Sequence, residues 1–432
     1  MREGTWYQAS ARPWQRLPAA TGARSAKVAV VGGGFAGVAT VLGLAERGIR
    51  DIVLLEAHGI GHGASGRNGG FVFGGYSLGE EALLARLGPE RARRTYRRTV
   101  DAVRLIRSRI ARYGIDCDLV DEGVLWANWF RDPAVMARRA EVLERAYGVR
   151  WEPVDADDLR SMLATRRYHG ALLERDAFHV HPLDYVRGAA RAAMSLGVAL
   201  HEGSPVRSLQ RRGATWWVRT DAATIEAEHV VLCCGGYLAG LLPAVDRSIL
   251  PIATYVMATA PLGERLVREV FTGTRAAVYD TRFAFDYYRP LPDTRLLWGG
   301  RISILDRSPR AVARLLRRDL LRVFPQLADV RIEHAWSGLM GYPTHQMPQL
   351  HQIERGLWSG QGFGGHGFAT TTAAGEVLAS AIAEGDRAID DYAPFGLESA
   401  RKPLGFLGAQ ATYAWLQARD AIKDWAERPV RR

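Results

Sequence analysis

Apolar residues fall along the chain in blocks whose period changes, and each change marks an element. Val28 to Val31 is an unbroken apolar run rich in valine, which predicts a strand buried on both faces. From about Phe35 to Arg47 the apolar positions take helical spacing, and Ile52 to Glu56 returns to a strand, so the N-terminal part predicts a βαβ unit. In PERARRTYRRTVDAVRLIRSRIARYG the residues Ala92, Tyr96, Thr99, Val103, Ile106 and Ile110 form one stripe with arginines over the rest, as in a helix with one solvated face. GVALHEGSPVRSL, TWWVRT and TIEAEHVVLCCGG predict successive short strands. Between Pro251 and Arg301 the segments PIATYVMATA, FAFDYYRP and RLLWGGR alternate in the antiparallel manner, with PLPD as the turn between the last two. A helix is expected from Phe368 to Ala383, and ATYAWLQARDAIKDWAE predicts an amphipathic terminal one.

With 432 residues, 47% of them hydrophobic, the chain can bury a large core in two or three folding units. Lysine and arginine exceed the acids by 57 to 46, and the only lysines are Lys27, Lys402 and Lys423, so the charge of +11 is carried by arginine. That balance favours anionic ligands or surfaces, although specific nucleic-acid binding is not the expected reading. Cys117, Cys233 and Cys234 form neither a disulfide framework nor a CxxC pair, which points to a reducing, cytoplasmic setting. The N-terminus has no signal-peptide core. The uncharged run Val28 to Ala45 is near the length of a membrane span, but its glycines and β-branched start fit a buried βα unit better.

Gly32, Gly34 and Gly37 satisfy GxGxxG between strand and helix, and Glu56 closes the next strand. The first glycine allows the tight turn, the second lets a pyrophosphate approach the backbone, and the third permits close helix packing. Phe35 and Ala36 open a helix whose free N–H groups suit a phosphate, and the acid, with Ala57 beside it, suits an unphosphorylated ribose. NAD and FAD both remain open from these residues alone.

The next stretch, HGIGHGASGRNGGF, carries Gly63, Ser65, Arg67, Asn68 and Gly69 just beyond the acid. Val206 follows in GSPVRSL, Cys234, Gly235 and Gly236 in VVLCCGG, and a second glycine loop in SGQGFGGHGF. In this order the motifs resemble the D-amino acid oxidase-like (DAO) family of FAD-dependent oxidoreductases, closest to the gamma-glutamylputrescine oxidoreductase-like subgroup, over roughly Trp6 to Tyr392. The resemblance implies an α/β fold in which an antiparallel-sheet substrate domain (86–174 and 251–334) is inserted into a Rossmann-type FAD-binding domain (1–85, 175–250 and 335–395), followed by a helical segment (396–432). It implies cofactor contacts from the first glycine loop, Glu56, Ala57, Gly63, Ser65, Arg67, Asn68, Gly69, Val206, Cys234 and Gly235. It also implies that the second loop, through Gly362, Gly365, His366 and Gly367, closes the same site rather than a second one.

The reaction so implied is oxidation of the C–N bond of an amine or amino acid by hydride transfer to flavin N5, then hydrolysis of the imine, as an oxidase making hydrogen peroxide. An amine dehydrogenase feeding a quinone or carrier, and a flavin protein associated with RNA, are the alternatives. Such chemistry needs donors near the flavin, and His366 at a helix start is the candidate. In FAFDYYRP the alternation puts Phe283, Phe285, Tyr287 and Arg289 on one face and Tyr288 on the other. One tyrosine is expected in the pocket, with Arg289 available for a carboxylate or phosphonate and Tyr255 as a weaker candidate. His179 and His181 are expected to be structural. The chain lacks the cysteine to which sarcosine-oxidase-like relatives attach flavin, so FAD is expected to be non-covalent. It also lacks their carboxylate-binding arginine after SGR and their lysine above the flavin, for which Arg301 or His366 would have to substitute as the local cation. Packing on the FAD domain is the expected role of the terminal helix, with peripheral membrane contact as a minor possibility.

Overall fold

The uncharged run at residues 28–31 lies at the centre of the first sheet. This computed structural model describes residues 4–427, so the outer ends of the expected 1–85 and 396–432 pieces lie outside it. The first sheet runs Gln349–Glu354, Leu357–Gln361, Ala223–Leu232, Gly22–Val31, Ile52–Leu55, Ala199–His201, and its central pairs are parallel. Alternate residues of the central strand serve different cores. Val28 and Val30 pack under the helices Phe35–Glu46 and Phe368–Glu384, while Ala29 and Val31 pack with Trp216 and Val218 on the opposite face. Both faces are therefore covered, which is why the run has no polar positions. Each valine contributes about 1.5–3 kcal/mol by leaving water.

The two helices touch closely because Gly375 has no side chain: a methyl there would lie 2.7 Å from the Ala39 backbone carbon. Arg109 ties this layer together from the arginine-rich helix Pro89–Arg112, donating to both Glu46 and Glu376. It is buried, unlike the solvated arginines expected along that helix. The helix also joins the core of the first sheet, so the expected 86–174 piece divides, with its helix in the nucleotide layer and its strands in the second sheet.

The second sheet runs Ile332–Tyr342, Leu250–Thr259, Leu296–Ser303, Asp286–Pro290, Ala277–Asp280, Val124–Ala127, Ala171–Glu174, Glu152–Val154. Its pairs are antiparallel except that Val124–Ala127 lies parallel to Ala277–Asp280. One face packs on the helix Pro309–Val323 through Tyr288, Trp298, Val312 and Leu316, and the other looks toward the first domain.

The terminal helix Leu404–Ala426 lies on the second sheet, not on the domain of the first as expected. Ile302 N–H donates to Tyr413 Oη at 3.0 Å, Phe283 N–H to Asp420 at 2.7 Å, and Trp129 Nε1 to Asp424 at 3.1 Å. No helix among the described residues is long and apolar enough to cross a membrane.

Candidate functional site

A cavity of about 910 Å³ opens between the two sheets and gathers most of the candidate residues. Gly32, Gly34, Phe35, Ala36, Glu56, Ala57, Gly63, Ser65, Arg67, Asn68, Gly69, Val206, Cys234 and Gly235 line one arm. Gly362, Gly365, His366 and Gly367 line the region opposite, so both glycine loops face one space. Gly37 does not line it. A methyl on Gly37 would meet Gly32 O at 1.9 Å, so this glycine serves the loop by letting the helix start against it. Val206 sits in the loop between the strands Ala199–His201 and Ser208–Arg212, where a continuous strand was expected.

The first loop is held from within. Ser65 Oγ accepts from Phe35 N–H at 2.8 Å, and Glu56 accepts from Gly33 N–H at 2.7 Å and His58 N–H at 2.8 Å. Burial raises the Glu56 carboxyl above its ordinary range, against the pull of those two donors. Gly34 and Gly367 give the Phe35–Glu46 and Phe368–Glu384 helices no N-cap side chain, so apart from the Phe35 N–H taken by Ser65 their first-turn N–H groups face the cavity uncapped. A side chain at Gly34 would fill the space before the first helix, its Cβ 2.9 Å from Ser65 Oγ. This arrangement of open N-termini, a glycine cradle and an acid on the neighbouring strand fits a dinucleotide.

The far wall is set by cross-strand register. Trp126 pairs with Tyr279, Tyr279 with Tyr287, and Tyr287 with Gly299, so three aromatic rings and a gap share one face. The gap is required: a methyl on Gly299 would lie 2.1 Å from the Tyr287 ring, and one on Gly69 would lie 2.7 Å from it. Phe71 packs edge-on to Tyr287 at 5.6 Å, and Phe73 lies 5.3 Å from Tyr279 and 4.4 Å from His366. Phe283 and Phe285 stand exposed at the mouth, in the turn before the strand rather than within it. Of these, Phe71, Phe73, Trp126 and Tyr279 were missed. The alternation in GGFVFGGY could have revealed the two phenylalanines, whereas Trp126 and Tyr279 meet only through a long-range strand pairing.

Four candidate roles fail here. Tyr288 belongs to the opposite face, stacked on Trp298 at 4.7 Å within the core of the second sheet. Arg289 shares the face of Tyr287 but lies beyond the cavity, fully buried, and offers nothing to a carboxylate. It donates to Gly69 O at 2.6 Å, Val180 O at 2.9 Å and Tyr7 Oη at 3.2 Å. His366 is not a cation, because burial lowers it to about 4, with the Gly74 carbonyl and Glu80 pulling the other way. Its Nε2 lies 3.0 Å from Gly74 O and so carries the proton, which leaves Nδ1 as the acceptor. Tyr255 is also outside the cavity, donating to Leu305 O. His179 and His181 are structural, as expected: His179 Nε2 donates to Arg275 O, and His181 Nδ1 caps Asp184 N–H.

Arg301 does line the cavity. It is the extra residue of a β-bulge, with φ 60°, because Thr254 pairs with Ile302 and Tyr255 with Gly300. One edge of its guanidinium, Nε and Nη2, donates to Asp319 at 2.7 and 2.6 Å. The other cavity arginines are likewise engaged. Arg139 donates to Glu80 at 2.7 Å and lies 4.3 Å over Trp126, Arg138 donates to Glu81 at 2.6 Å, and Arg282 binds Asp280 and Asp286. Arg67 donates to His62 O at 3.0 Å and Ser337 O at 3.3 Å. Burial pushes Glu80 up, but Arg139 overrides it and holds the carboxyl below its ordinary range. No cluster that could hold a metal ion occurs among the described residues.

Residues 27–381 match the DAO family of FAD-dependent oxidoreductases, and the chain belongs to that family. It is an FAD-dependent oxidoreductase, with FAD as its cofactor. Among its relatives, gamma-glutamylputrescine oxidoreductase of Escherichia coli K12 is 33% identical over 425 residues, covering 97% of this chain and 98% of the relative. A probable oxidoreductase, OrdL, of Haemophilus influenzae is 30% identical, covering 87% of each chain. The solved glycine oxidase of Geobacillus kaustophilus has the same fold, with a TM-score of 0.71 at 22% identity over 87% of this chain and 99% of that one.

Proposed function

We propose that the chain oxidises the C–N bond of an amine that bears no carboxylate on the reacting carbon, with electrons leaving to oxygen or to a quinone or carrier. One observation carries this reading: each arginine described above at the cavity is already bound to a carboxylate or a carbonyl, while the wall beside the glycine loops is aromatic. A carboxylate on the substrate would have to compete with these partners for arginines that are already neutralised. An alkylamine asks only for shape and a polarisable surface, and Phe73, Trp126, Tyr279 and Tyr287 provide both.

FAD, when bound, supplies the hydride-accepting ring. The chain positions around it. Gly32 to Ala36 and Ser65 would hold the diphosphate, and Glu56 the ribose. The open start of the Phe368–Glu384 helix would favour negative charge on a group held there. The aromatic wall orients the amine and excludes water from the reacting carbon.

The test is anaerobic flavin bleaching across primary amines, N-alkyl amines, α-amino acids and a mono-acylated diamine such as the γ-glutamylputrescine named in the relative. Amines should bleach the flavin with kcat/KM about a hundredfold or more above that of α-amino acids. Faster reduction by glycine or proline would overturn the reading.

A second reading concerns the acceptor. Arg301 is neutralised by Asp319 and His366 is uncharged, so neither supplies the free cation expected beside the ring for reaction with oxygen. That favours a dehydrogenase passing electrons to a carrier. Aerobic turnover yielding one hydrogen peroxide per amine consumed would exclude it.

A further inference from the structure

The terminal helix Leu404–Ala426 is mounted the wrong way round for a helix that only packs on its own protein. Gln410, Tyr413, Gln417, Asp420 and Asp424 recur at three- and four-residue spacing. Tyr413 and Asp420 are its buried residues, and apart from Gln417, which donates to Tyr413, each bonds directly to the substrate domain. The stripe turned outward is apolar. Leu404, Leu407, Trp415, Ile422 and Trp425 are each 63–71% exposed, whereas an amphipathic surface helix ordinarily buries such residues. Of the ten exposed large apolar side chains among the described residues, these make five, and Phe283, Phe285 and Leu305 lie on segments that meet the same helix. An apolar surface concentrated in this way marks an interaction site.

We propose that this face docks on an anionic lipid surface. Charge selects the occupant. Both acids of the helix that could repel lipid phosphates point inward, Asp420 to Phe283 N–H and Asp424 to Trp129 and Arg167. Arg419 and Lys423 flank the stripe outside. The neighbouring helix Pro309–Val323 carries Arg310, Arg314, Arg318 and Arg322 at every fourth position, all exposed, and meets the terminal helix where Arg322 approaches Asp424 at 3.8 Å. A tryptophan-bearing apolar stripe beside a row of arginines is the pattern of an interfacial helix. A second copy is the poorer occupant, because an antiparallel two-fold contact through the stripe would set one row of arginines against another. Docking here would also bring the cavity mouth, where Tyr413, Phe283 and Phe285 stand, next to the membrane.

The experiment is flotation of the FAD-loaded protein with vesicles of phosphatidylcholine alone or with added phosphatidylglycerol. Roughly tenfold or more protein should float with the anionic vesicles, and high salt should reverse most of this. The double variant Trp415→Glu and Trp425→Glu should lose flotation while keeping its flavin spectrum. Should that variant fail to fold, Arg314→Glu with Arg318→Glu should weaken binding to anionic vesicles only. Absence of flotation with either vesicle would overturn the proposal. So would a wild-type dimer that Trp415→Glu dissociates, with no vesicle binding, since the second copy would then be the occupant.

Discussion

His366 fills two structural roles before any chemical one, closing the second glycine loop onto Gly74 and packing against Phe73. Its neutrality has a measurable consequence. Between about 4 and its ordinary 6.5 the unfolded chain holds a proton that the folded chain does not, so the fold loses stability through this residue as pH falls from 6.5 toward 4. His181, lowered by burial to about 3, acts in the same direction. The variant His366→Asn should therefore lose less melting temperature than the native chain on passing from neutral to about pH 5. For activity, burial pushes Tyr279 and Tyr287 upward while His366 goes down, so none of the three titrates near neutrality. We expect kcat/KM to climb as the substrate ammonium loses its proton, and an inflection near 6.5 that disappears in His366→Asn would contradict this. At this scale the candidate glycines other than Gly37, and His366, share one cavity, but Arg289 was misread, because its partners, Gly69, Val180 and Tyr7, come from distant segments.

Strand register decides the rest of the site. The alternation in FAFDYYRP distinguishes the two tyrosines but does not say which face is the cavity, and that choice depends on pairing with Ala277–Asp280 and Leu296–Ser303. Gly299 then becomes the most informative position in the second sheet. Replacing it with alanine should displace the Tyr287 ring and lower kcat/KM by about a hundredfold while the FAD content holds, read by turnover against flavin absorbance. Arg289→Met should behave in the opposite manner. Losing bonds to Gly69 O and Val180 O should cost about 3 kcal/mol or more in denaturant unfolding, because it strands buried carbonyls. The βαβ unit and the Phe368–Glu384 helix were legible because their periods are local. The loop holding Val206 was not, since the apolar valine in GSPVRSL reads like a strand position.

Across the whole molecule, the cavity draws walls from both sheets, so removing FAD should lower the melting temperature. At about a hundredfold excess over Kd, restored FAD should return roughly 2.7 kcal/mol. An unchanged melting curve would mean that the cofactor does not span the two layers. The order of motifs foretold the layering, but not which layer the terminal helix joins, because its apolar stripe suggested burial and its polar stripe is the one that binds.

Finally, the short helix Trp6–Ser10 reaches both domains at once. Trp6 Nε1 donates to Asp293 in a turn of the substrate sheet, and Tyr7 Oη donates to Asn68 O in the nucleotide domain. Arg289 makes the same crossing. Cross-links of this kind oppose a clamshell motion. Phe283 and Phe285 of the turn 282–285 stand exposed at the cavity mouth, so changes in that turn should alter residence time before they alter chemistry.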